Sequence, residues 1–538
     1  MRGGDALAQG ALAAGVSLVC GYPGSPATAV VDAIVGLANP ERVRVEWTSN
    51  EKIALEMAFG ASVVGMRSLL CVKSVGLNIA LDPLMVINLS GCNAGLVILA
   101  GDDPGSWGSQ NEQDSRALGL AAEIPILEPC TVPDALAAME GAFALSEELG
   151  LPVMVRVTRA LVLAQGEMDP TRPLPTPGSP PPYQREFMRW VVLPINVVPL
   201  HQSLRERLET VQARHEVSTL NNISGGGRLG VIAAGFAYQK LMDLLGNDGI
   251  PAGLRVLRLG TFHPLPQASV TAFLQEVDSV IVLEEIAPLV ERSVRALAQT
   301  AGLTLPVYGR GTGHVPAAGE LFGPQIAAVF NAVLPSLALP TGGPSGRSRP
   351  SRDPLCDDCP YFPTFDALTQ VMDRRGGRDA FVIVGETGCM VRAQLPPYQL
   401  LDLKNSLGSS IGMATGVALG DTGAGVVALC GDSAFLHSGL PALIDASQMG
   451  VRFLLIILDN GTTALSGGQP HPASGVDVWG RPRRAVDLVA LAGAAGAASV
   501  QMVDLDQGEP IEAPIEHGLE QEGVTVIIAR GRCPRWAG

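Results

Sequence analysis

Short apolar runs alternate with longer stretches of mixed polarity along most of the chain. Runs such as 94–101 and 453–458 contain almost only apolar residues, which is typical of strands buried on both faces of a parallel sheet. The stretches 50–64 and 133–149 between such runs have the pattern and length of helices. This alternation predicts an α/β fold with open parallel sheets. The predicted strands are VSLVCGYPG, VRVEWTS, RSLLCVKS, AGLVILAGDD, IPILEPC and LPVMVRVT in the first part of the chain, LGVIAAGF, LRVLRLG and SVIVLEE in the middle, and AFVIVGE, GVVALCGD, RFLLIILDN, ASVQMVD and VTVIIARG in the last.

Two stretches rich in Pro, Gly and Ser interrupt this alternation, because neither can continue a helix or a central strand. They predict linkers at 168–185 and 339–355. The linkers divide the chain into three domains, 1–167, 186–338 and 356–538, each with its own open parallel sheet. Ligands of such sheets bind beyond the carboxyl ends of the strands.

Composition and charge argue against a nucleic-acid-binding, membrane or secreted protein. The 538 residues include 37 basic and 52 acidic side chains, a formal net charge of −15, which argues against a nucleic-acid partner. No apolar run approaches the ~20 residues of a membrane span. The N-terminus lacks the basic start and apolar core of a signal peptide. We therefore expect a cytoplasmic protein with no membrane partner.

The nine cysteines predict no disulfide framework. Most of them, such as Cys20 and Cys430, lie in apolar runs, where a reduced thiol behaves as a small hydrophobic group. Only Cys356 and Cys359 have the C-x2-C spacing of a metal site. Structural zinc needs four ligands and there is no second such pair, so no zinc site is predicted and the role of this pair stays open.

Two predicted strands in the last part of the chain end on polar residues. Asp432 follows one, and Asp459 and Asn460 follow the other. A helix over 439–449 is long enough to bring these strands side by side, so Asp432 and Asn460 would face one point. Oxygen ligands suit Mg²⁺, and the carbonyl of Thr462 would complete a site for a magnesium diphosphate. The alternative is that an acid after a strand simply caps the next helix.

The spacing of these residues resembles the thiamine diphosphate (ThDP) motif, which runs from GDG to a segment containing Asn. Here Gly431 and Asp432 begin the motif, and Asn460 comes 28 residues after Asp432. Ser433 replaces the third glycine of the motif. The resemblance implies that ThDP and Mg²⁺ are the cofactors.

A ThDP enzyme also needs a carboxylate for the aminopyrimidine, because a buried Glu hydrogen-bonded to N1′ promotes loss of the C2 proton. Glu51 lies where a predicted strand meets a helix, and its NE context resembles that catalytic site. Glu56 is the competing residue. Its place further along the helix favours a surface or packing role.

A glycine-rich segment, 405–420, enters a predicted helix just before the GDS strand. The small residues Gly408 and Ser409 would let backbone N–H groups approach a phosphate, although such helix starts also serve packing alone. By resemblance to the GSIG segment of 2-oxoacid decarboxylases, Ile411 would hold the thiamine in its bent shape.

Stretches spread over nearly the whole chain resemble the α subunit of the indolepyruvate ferredoxin oxidoreductase family. These stretches are GYPGSPAT from Gly21, SNEKIALE from Ser49, KSVGLNIALDPLM from Lys73, DDPGSWGSQNEQDSR from Asp102, CDDCP from Cys356, GDSAFLHSGLPALI from Gly431 and LDNGTTALSGGQPHP from Leu458. The resemblance implies a pyrimidine-binding ThDP domain, then a transketolase C-terminal-like domain, then a pyrophosphate-binding ThDP domain.

The resemblance also implies site residues. The family's TP turn, which faces the substrate carboxylate, matches Ser25 and Pro26. Gln469 and His471 match the GGQ and HP that follow the metal loop, which would place Gln469 at the cofactor and make His471 catalytic. Ser74 is expected beside the substrate.

The chain departs from the family pattern in three places. KHVGLN reads KSVGLN, so Ser74 replaces a His, and CPGCPH reads CDDCPY, so Tyr361 replaces another. Many family members continue into a ferredoxin domain where this sequence stops. There is no C-x2-C-x2-C-x3-C run, so no iron–sulfur cluster is expected in this chain.

The implied activity is oxidative decarboxylation of a 2-oxoacid, such as indolepyruvate, to acyl-CoA and CO₂. Electrons would pass to a partner subunit of β or γ type or to an external carrier, and the ThDP core would be a homodimer. The alternative is a non-oxidative ThDP decarboxylase or carboligase, which the missing cluster run and the replacements at Ser74 and Tyr361 favour. A scaffold without chemistry is disfavoured because Glu51, Asp432 and Asn460 are all present.

Overall fold

The strands of the computed structural model follow the predicted apolar runs. It describes residues 1–168, 181–246, 249–337, 339–341, 354–420 and 423–536. The strands are β1 (Leu18–Gly21), β2 (Arg44–Trp47), β3 (Ser68–Lys73), β4 (Leu96–Asp102), β5 (Ile126–Leu127), β6 (Val153–Thr158), β7 (Asn222–Gly225), β8 (Leu229–Ala234), β9 (Leu254–Leu259), β10 (Thr261–His263), β11 (Ser279–Leu283), β12 (Val307–Tyr308), β13 (Phe381–Gly385), β14 (Leu403–Lys404), β15 (Gly425–Gly431), β16 (Phe453–Asp459), β17 (Ser499–Asp504) and β18 (Val524–Arg530).

Helices connect most of the strands, and their ends carry the expected caps. For example, the helix after β5 starts beside the side chain of Thr131, which accepts from the Asp134 N–H, and stops at Gly150, whose φ is 60°. The helices are α1 (Gly3–Ala13), α2 (Ala27–Leu37), α3 (Glu51–Val63), α4 (Ser74–Ser90), α5 (Ser115–Ala121), α6 (Val132–Leu149), α7 (Arg159–Leu163), α8 (Phe187–Trp190), α9 (Val197–Glu216), α10 (Ala237–Leu245), α11 (Gln267–Gln275), α12 (Leu289–Thr300), α13 (Gly323–Val333), α14 (Phe362–Arg374), α15 (Ser410–Leu419), α16 (Asp432–Ala434), α17 (Leu440–Gln448), α18 (Leu488–Ala494) and α19 (Glu512–Glu520). None of the helices in the described part of the chain has the length and hydropathy that a membrane span requires.

The strands form three sheets, so the predicted fold class is confirmed. The first has the order β10-β5-β6-β4-β3-β1-β2, the second β12-β11-β8-β9-β7 and the third β14-β13-β15-β16-β18-β17. Every pair in the third sheet is parallel. Antiparallel pairing occurs where β10 meets β5 and where β7 meets β9. Four strands lie outside the predicted apolar runs, β7, β10, β12 and β14, which are two to four residues long and have no apolar run of their own.

The chain separates into two compact units. Unit 1 consists of Met1–Glu46 and Glu51–Pro350 and contains the second sheet and nearly all of the first. Unit 2 consists of Trp47–Asn50 and Ser351–Gly538 and contains the third. Much of both predicted linkers, 168–185 and 339–355, lies outside the described residues, and the three-domain boundaries stay a prediction.

A buried group of charges joins the first and second sheets inside unit 1. The guanidinium of Arg116, fully buried on α5, lies 2.7 Å from Asp114, 3.5 Å from Glu128 and 3.1 Å from Glu284, which follows β11. Arg156 on β6 also pairs with Glu128. Buried carboxylates need a counter-charge because no solvent reaches them. The two arginines therefore determine how the first and second sheets pack together.

We expect Arg116→Ala to destabilise the protein by about 3–5 kcal/mol, because it leaves buried carboxylates without a counter-charge. The urea midpoint of unfolding, followed by circular dichroism, measures the effect. Arg228→Ala is the matched control, since Arg228 pairs with Asp278 at an exposed site, and its midpoint should stay near the wild-type value. Equal midpoints for the two variants would show that the buried charges are not structurally important.

Candidate active site

Asp432 lies at the centre of the loops beyond the third sheet. β15 and β16 are parallel neighbours with Gly431 opposite Leu458, as the predicted helix between them requires. The Asp432 carboxyl, only 3% exposed, accepts from the N–H groups of Ser433 at 2.7 Å and Gly461 at 2.9 Å. This single side chain therefore ties the end of β15 to the loop after β16.

The third partner of Asp432 is His471, whose Nε2 lies 3.1 Å from the carboxyl oxygen that also binds Gly461. Burial acts to lower the pKa of His471, but the charge and hydrogen bond of Asp432 outweigh it and raise the pKa above its usual value. The structure thus pairs the predicted catalytic histidine with the predicted metal ligand. Its predicted role in catalysis is not tested by this contact.

Asn460 and Thr462 occupy the neighbouring strand end. Oδ1 of Asn460 accepts from the Thr462 N–H at 3.1 Å, and its Nδ2 donates to the hydroxyl of Tyr361 at 2.6 Å. A carboxylate, an amide oxygen and main-chain carbonyls are the hard donors that Mg²⁺ prefers, so this donor set fits a magnesium diphosphate. No group of three or more His, Cys, Asp or Glu side chains in the described ranges could hold a metal ion. A cation here would therefore also need amide, main-chain and ligand oxygens.

Asp459, the other acid at the end of β16, has a structural partner. Its carboxyl accepts from Nε of Arg530 at 2.9 Å, and Arg530 is its neighbour in register on β18. Burial, followed by the charge of Asp432, raises the pKa of Asp459. The acid at the end of β16 thus pairs with the base at the end of the adjacent strand.

The glycine-rich segment enters α15 as predicted. Gly408 has a φ of 71°, and a Cβ there would lie 2.3 Å from Oγ of Ser438, so the close approach requires glycine. Ser409 lies just before α15, and its hydroxyl donates to the Ser406 carbonyl at 2.7 Å. Ile411 is completely buried in the core against Gly439. Its predicted contact with thiamine remains a prediction.

Glu386, directly after β13, is a further residue of the site that no sequence motif predicts. Its carboxyl is completely buried and accepts from the N–H of Gly431 at 2.8 Å and from the N–H of Gly408. Burial raises the pKa of Glu386 to about 8, against the opposing effect of these hydrogen bonds. It joins the two loops predicted to hold the diphosphate. The signal was present in the sequence, because AFVIVGE ends on an acid as the strands before Asp432 and Asp459 do.

Gln469 and Ser433 are held by the loop between β16 and His471. Oε1 of Gln469 accepts from the Ser466 hydroxyl at 2.9 Å, and the Thr463 hydroxyl donates to Oγ of Ser433 at 3.3 Å. The loop therefore closes on itself and on the start of α16, so Gln469 and Ser433 lie on the loops that surround Asp432.

The other predicted residues lie at the carboxyl edge of the first sheet, in unit 1. Glu51 is buried at the start of α3, and a Cβ at Gly76 would lie 2.3 Å from its Oε1. Ser74, also buried, begins α4, whereas Ser25 is exposed beyond β1. Glu56, the competing residue, has a side chain that is 48% exposed and pairs with Lys52 at 3.1 Å.

Four cysteines from separate segments line one small cavity in unit 2. They are Cys356, Cys359, Cys389 and Cys533, and Tyr361 and Asn460 also line the cavity. Burial and the neighbouring sulfurs raise the pKa of Cys359 to about 11 and that of Cys389 to about 12. The Cys533 N–H donates to the Asn460 carbonyl at 3.2 Å, so the cavity adjoins the predicted metal ligand. Sequence spacing revealed only the C-x2-C pair, because the other two cysteines lie 30 and more residues away.

Two family models match parts of this chain. Residues 9–165 match the thiamine diphosphate-binding family of pyruvate flavodoxin/ferredoxin oxidoreductases. Residues 386–529 match the C-terminal TPP-binding domain of thiamine pyrophosphate enzymes. The first range includes Glu51 and the second includes Glu386, Asp432 and Asn460. The chain therefore has two thiamine diphosphate-binding domains.

Individual relatives cover almost the whole chain. Indolepyruvate oxidoreductase subunit IorA of Methanothermobacter thermautotrophicus is 34% identical over 99% of this chain and 86% of its own. The subunit of the same name from Pyrococcus abyssi is 32% identical over 99% of this chain and 85% of its own. Among solved structures, a 2-oxoglutarate:ferredoxin oxidoreductase from Magnetococcus marinus aligns with a TM-score of 0.44 and 17% identity, over 57% of this chain and 61% of that one. On the strength of the two IorA relatives, the chain belongs to the indolepyruvate oxidoreductase IorA family of thiamine diphosphate-dependent 2-oxoacid oxidoreductase subunits.

Proposed function

We propose that this chain decarboxylates an arylpyruvate such as indolepyruvate oxidatively, forming acyl-CoA and CO₂. The observation that carries the proposal is the pair Asp432 and Asn460. They bring a carboxylate and an amide oxygen to adjacent strand ends, inside a segment that matches a TPP-binding domain. The substrate is proposed from the names of relatives 30–34% identical to the chain.

The loops of the third sheet would hold the cofactor. Asp432, Asn460 and the carbonyl of Thr462 would bind Mg²⁺, and the Mg²⁺ would bind the diphosphate. The N–H groups around Gly408 and Ser409 would face phosphate oxygens at the entry to α15. When bound, thiamine diphosphate would supply a carbon nucleophile and an acceptor for the electron pair left by CO₂.

Residues of this chain would also move protons and orient the substrate. Glu51 would hydrogen-bond N1′ of the aminopyrimidine and so assist loss of the C2 proton. His471 is proposed as a catalytic residue, with its Nε2 3.1 Å from Asp432 and its Nδ1 accepting from the Ala473 N–H at 3.3 Å. It would exchange a proton with the substrate only after one of these hydrogen bonds opens. Ser25 and Ser74 would offer hydroxyls to the 2-oxoacid.

The partners follow from the same reaction. CoA would accept the acyl group, and a second subunit of β or γ type, or an external carrier, would accept the electrons. A homodimeric core is proposed because ThDP sites form between a pyrimidine-binding and a pyrophosphate-binding domain. The relatives' names, which call each protein a subunit, support an assembly.

The four-cysteine cavity offers a route for the electrons. The expectation of no cluster rests on the absence of a consecutive cysteine run, whereas the fold brings four cysteines around one cavity. Four thiolates are the ligand set of iron–sulfur clusters. The raised pKa values of Cys359 and Cys389 indicate that thiolates there need positive charge nearby. Each iron of a four-iron cluster takes one cysteine, so the four thiols need not converge on one point as they would around zinc. We therefore propose that they bind a cluster rather than zinc.

A non-oxidative decarboxylase or carboligase is the second candidate. It is favoured by Ser74, which replaces a histidine of the family pattern and so removes a group that could donate or accept a proton. The two candidates share substrate addition and CO₂ loss. They differ in whether the electron pair goes to an acceptor or to a proton or aldehyde.

Product analysis tests the proposed reaction. With a panel of 2-oxoacids, the chain and its partner subunit should release CO₂ and form acyl-CoA only when CoA and a dye acceptor are both present, because oxidation requires somewhere for electrons to go. Omitting the dye is the control. Sustained aldehyde or acyloin formation without an acceptor would replace the proposal with the non-oxidative one.

The role of Glu51 is tested by Glu51→Gln. Glu51 would touch neither metal nor phosphate, so ThDP affinity should be largely retained while C2-proton exchange slows by orders of magnitude. Deuterium exchange at C2, followed by NMR after acid quenching, measures this. Glu56→Gln is the matched control and should exchange like wild type. If the control slows and Glu51→Gln does not, the carboxylate has been misassigned.

The cluster is tested by metal analysis. Anaerobically purified chain should contain iron and acid-labile sulfide in equal, stoichiometric amounts, and Cys389→Ala should lose most of both because one ligand is missing. Cys20→Ala is the control, since Cys20 is buried in unit 1 and its thiol donates a hydrogen bond to the Ala54 carbonyl. Protein without iron would restore the expectation that this chain binds no cluster.

A further inference from the structure

The hydroxyl of Tyr361 contacts a predicted metal ligand that no sequence motif connects with it. Tyr361 lies just before α14, is 4% exposed, and packs its ring edge-to-face against Phe365 with centroids 6.0 Å apart. Its hydroxyl lies 2.6 Å from Nδ2 of Asn460. The tyrosine is therefore fixed by packing on one side and meets the Asn460 amide on the other.

The neighbouring hydrogen bonds determine which way this amide faces. The backbone N–H of Thr462 can only donate, so the Asn460 atom 3.1 Å from it must be the acceptor Oδ1. The NH₂ group is then the atom that faces Tyr361, and the phenolic oxygen accepts from it. If the amide flipped, an NH₂ group would face the Thr462 N–H and that bond would be lost.

The same orientation places two oxygens along one turn. Oδ1 of Asn460 accepts from the N–H of Thr462, and Oδ2 of Asp432 accepts from the preceding N–H, that of Gly461. A carbonyl oxygen has two lone pairs, so Oδ1 keeps one after binding Thr462. The tyrosine hydroxyl occupies the opposite, NH₂ end of the amide.

We propose that Tyr361 is a positioning residue for the metal site, which holds the Asn460 amide so that its oxygen is offered beside Asp432. This inference rests on the proposed Mg²⁺–ThDP function. Groups that orient a metal ligand typically change metal affinity by 10- to 100-fold when removed. The family pattern has a histidine at this position, and a ring nitrogen can accept from an amide as a phenol does. A histidine at this position would therefore keep an acceptor for the Asn460 amide.

Metal binding, measured without turnover, tests the proposal. Mn²⁺ is titrated into metal-free protein with saturating ThDP, and free Mn²⁺ is followed by electron paramagnetic resonance. Tyr361→Phe, which keeps the ring on Phe365, should weaken Mn²⁺ binding by roughly 10- to 100-fold. Tyr361→His should restore most of the affinity because it returns an acceptor.

Tyr398→Phe is the matched control. Tyr398 also packs on Phe365, with centroids 5.6 Å apart, but its hydroxyl bonds to Asp366 at 2.6 Å. This variant should bind Mn²⁺ like wild type, and both Phe variants should show similar melting temperatures without metal. Wild-type affinity in Tyr361→Phe would overturn the proposal. So would a loss matched by a fall in melting temperature and not rescued by histidine, because that pattern indicates packing alone.

Asp432→Ala separates failure of this inference from failure of the proposed function. It removes the carboxylate ligand and should abolish Mn²⁺-dependent ThDP binding, as calorimetry would show. If it does so while Tyr361→Phe binds normally, only the role of Tyr361 is rejected. If Asp432→Ala binds Mn²⁺ and ThDP like wild type, the metal site itself is misplaced and both proposals fail.

Discussion

A carboxyl group removed from water must be given hydrogen-bond donors, and this requirement organises the loops of unit 2. Three strands of the third sheet end on buried acids: Glu386, Asp432 and Asp459. Each reaches donors on a neighbouring strand end or loop. Glu386 takes the N–H of Gly431, and Asp432 takes that of Gly461. These protein hydrogen bonds hold together the loops that would surround a diphosphate.

The hydrogen-bond donors around Glu386, Asp432 and Asp459 differ, and this gives the three acids different roles. Arg530 neutralises Asp459 across the sheet, which leaves that residue a structural role. Glu386 accepts from the N–H groups of Gly408 and Gly431, which gives it a role in ordering two loops. Asp432 alone has two carboxyl oxygens on a turn that also presents the Asn460 amide oxygen. Similar positions at strand ends therefore give different chemistry because their neighbours differ.

The sequence predicts most of the fold because long apolar runs must be buried wherever they lie, and all the runs proposed as strands are strands. Short strands such as β10 and β14 are not predicted, because whether they pair depends on the strands beside them in the fold and not on their own sequence. The cysteine cavity is not predicted, because the spacing of cysteines along the chain does not reveal which distant segments lie together in the fold. Glu386 belongs to none of the motifs, yet the rule that located Asp432, an acid after a buried strand, also applies to it. Applied to every strand end, this physical rule finds more of the site than the motif does.

The antiparallel strand β10 constrains how this protein can evolve and be divided. It comes from the middle part of the chain but forms the edge of the first sheet beside β5. A fragment ending near residue 167 would expose that sheet edge and invite association with other chains. A truncation that preserves this shared strand would therefore keep the first two parts of the chain together, as they are in compact unit 1.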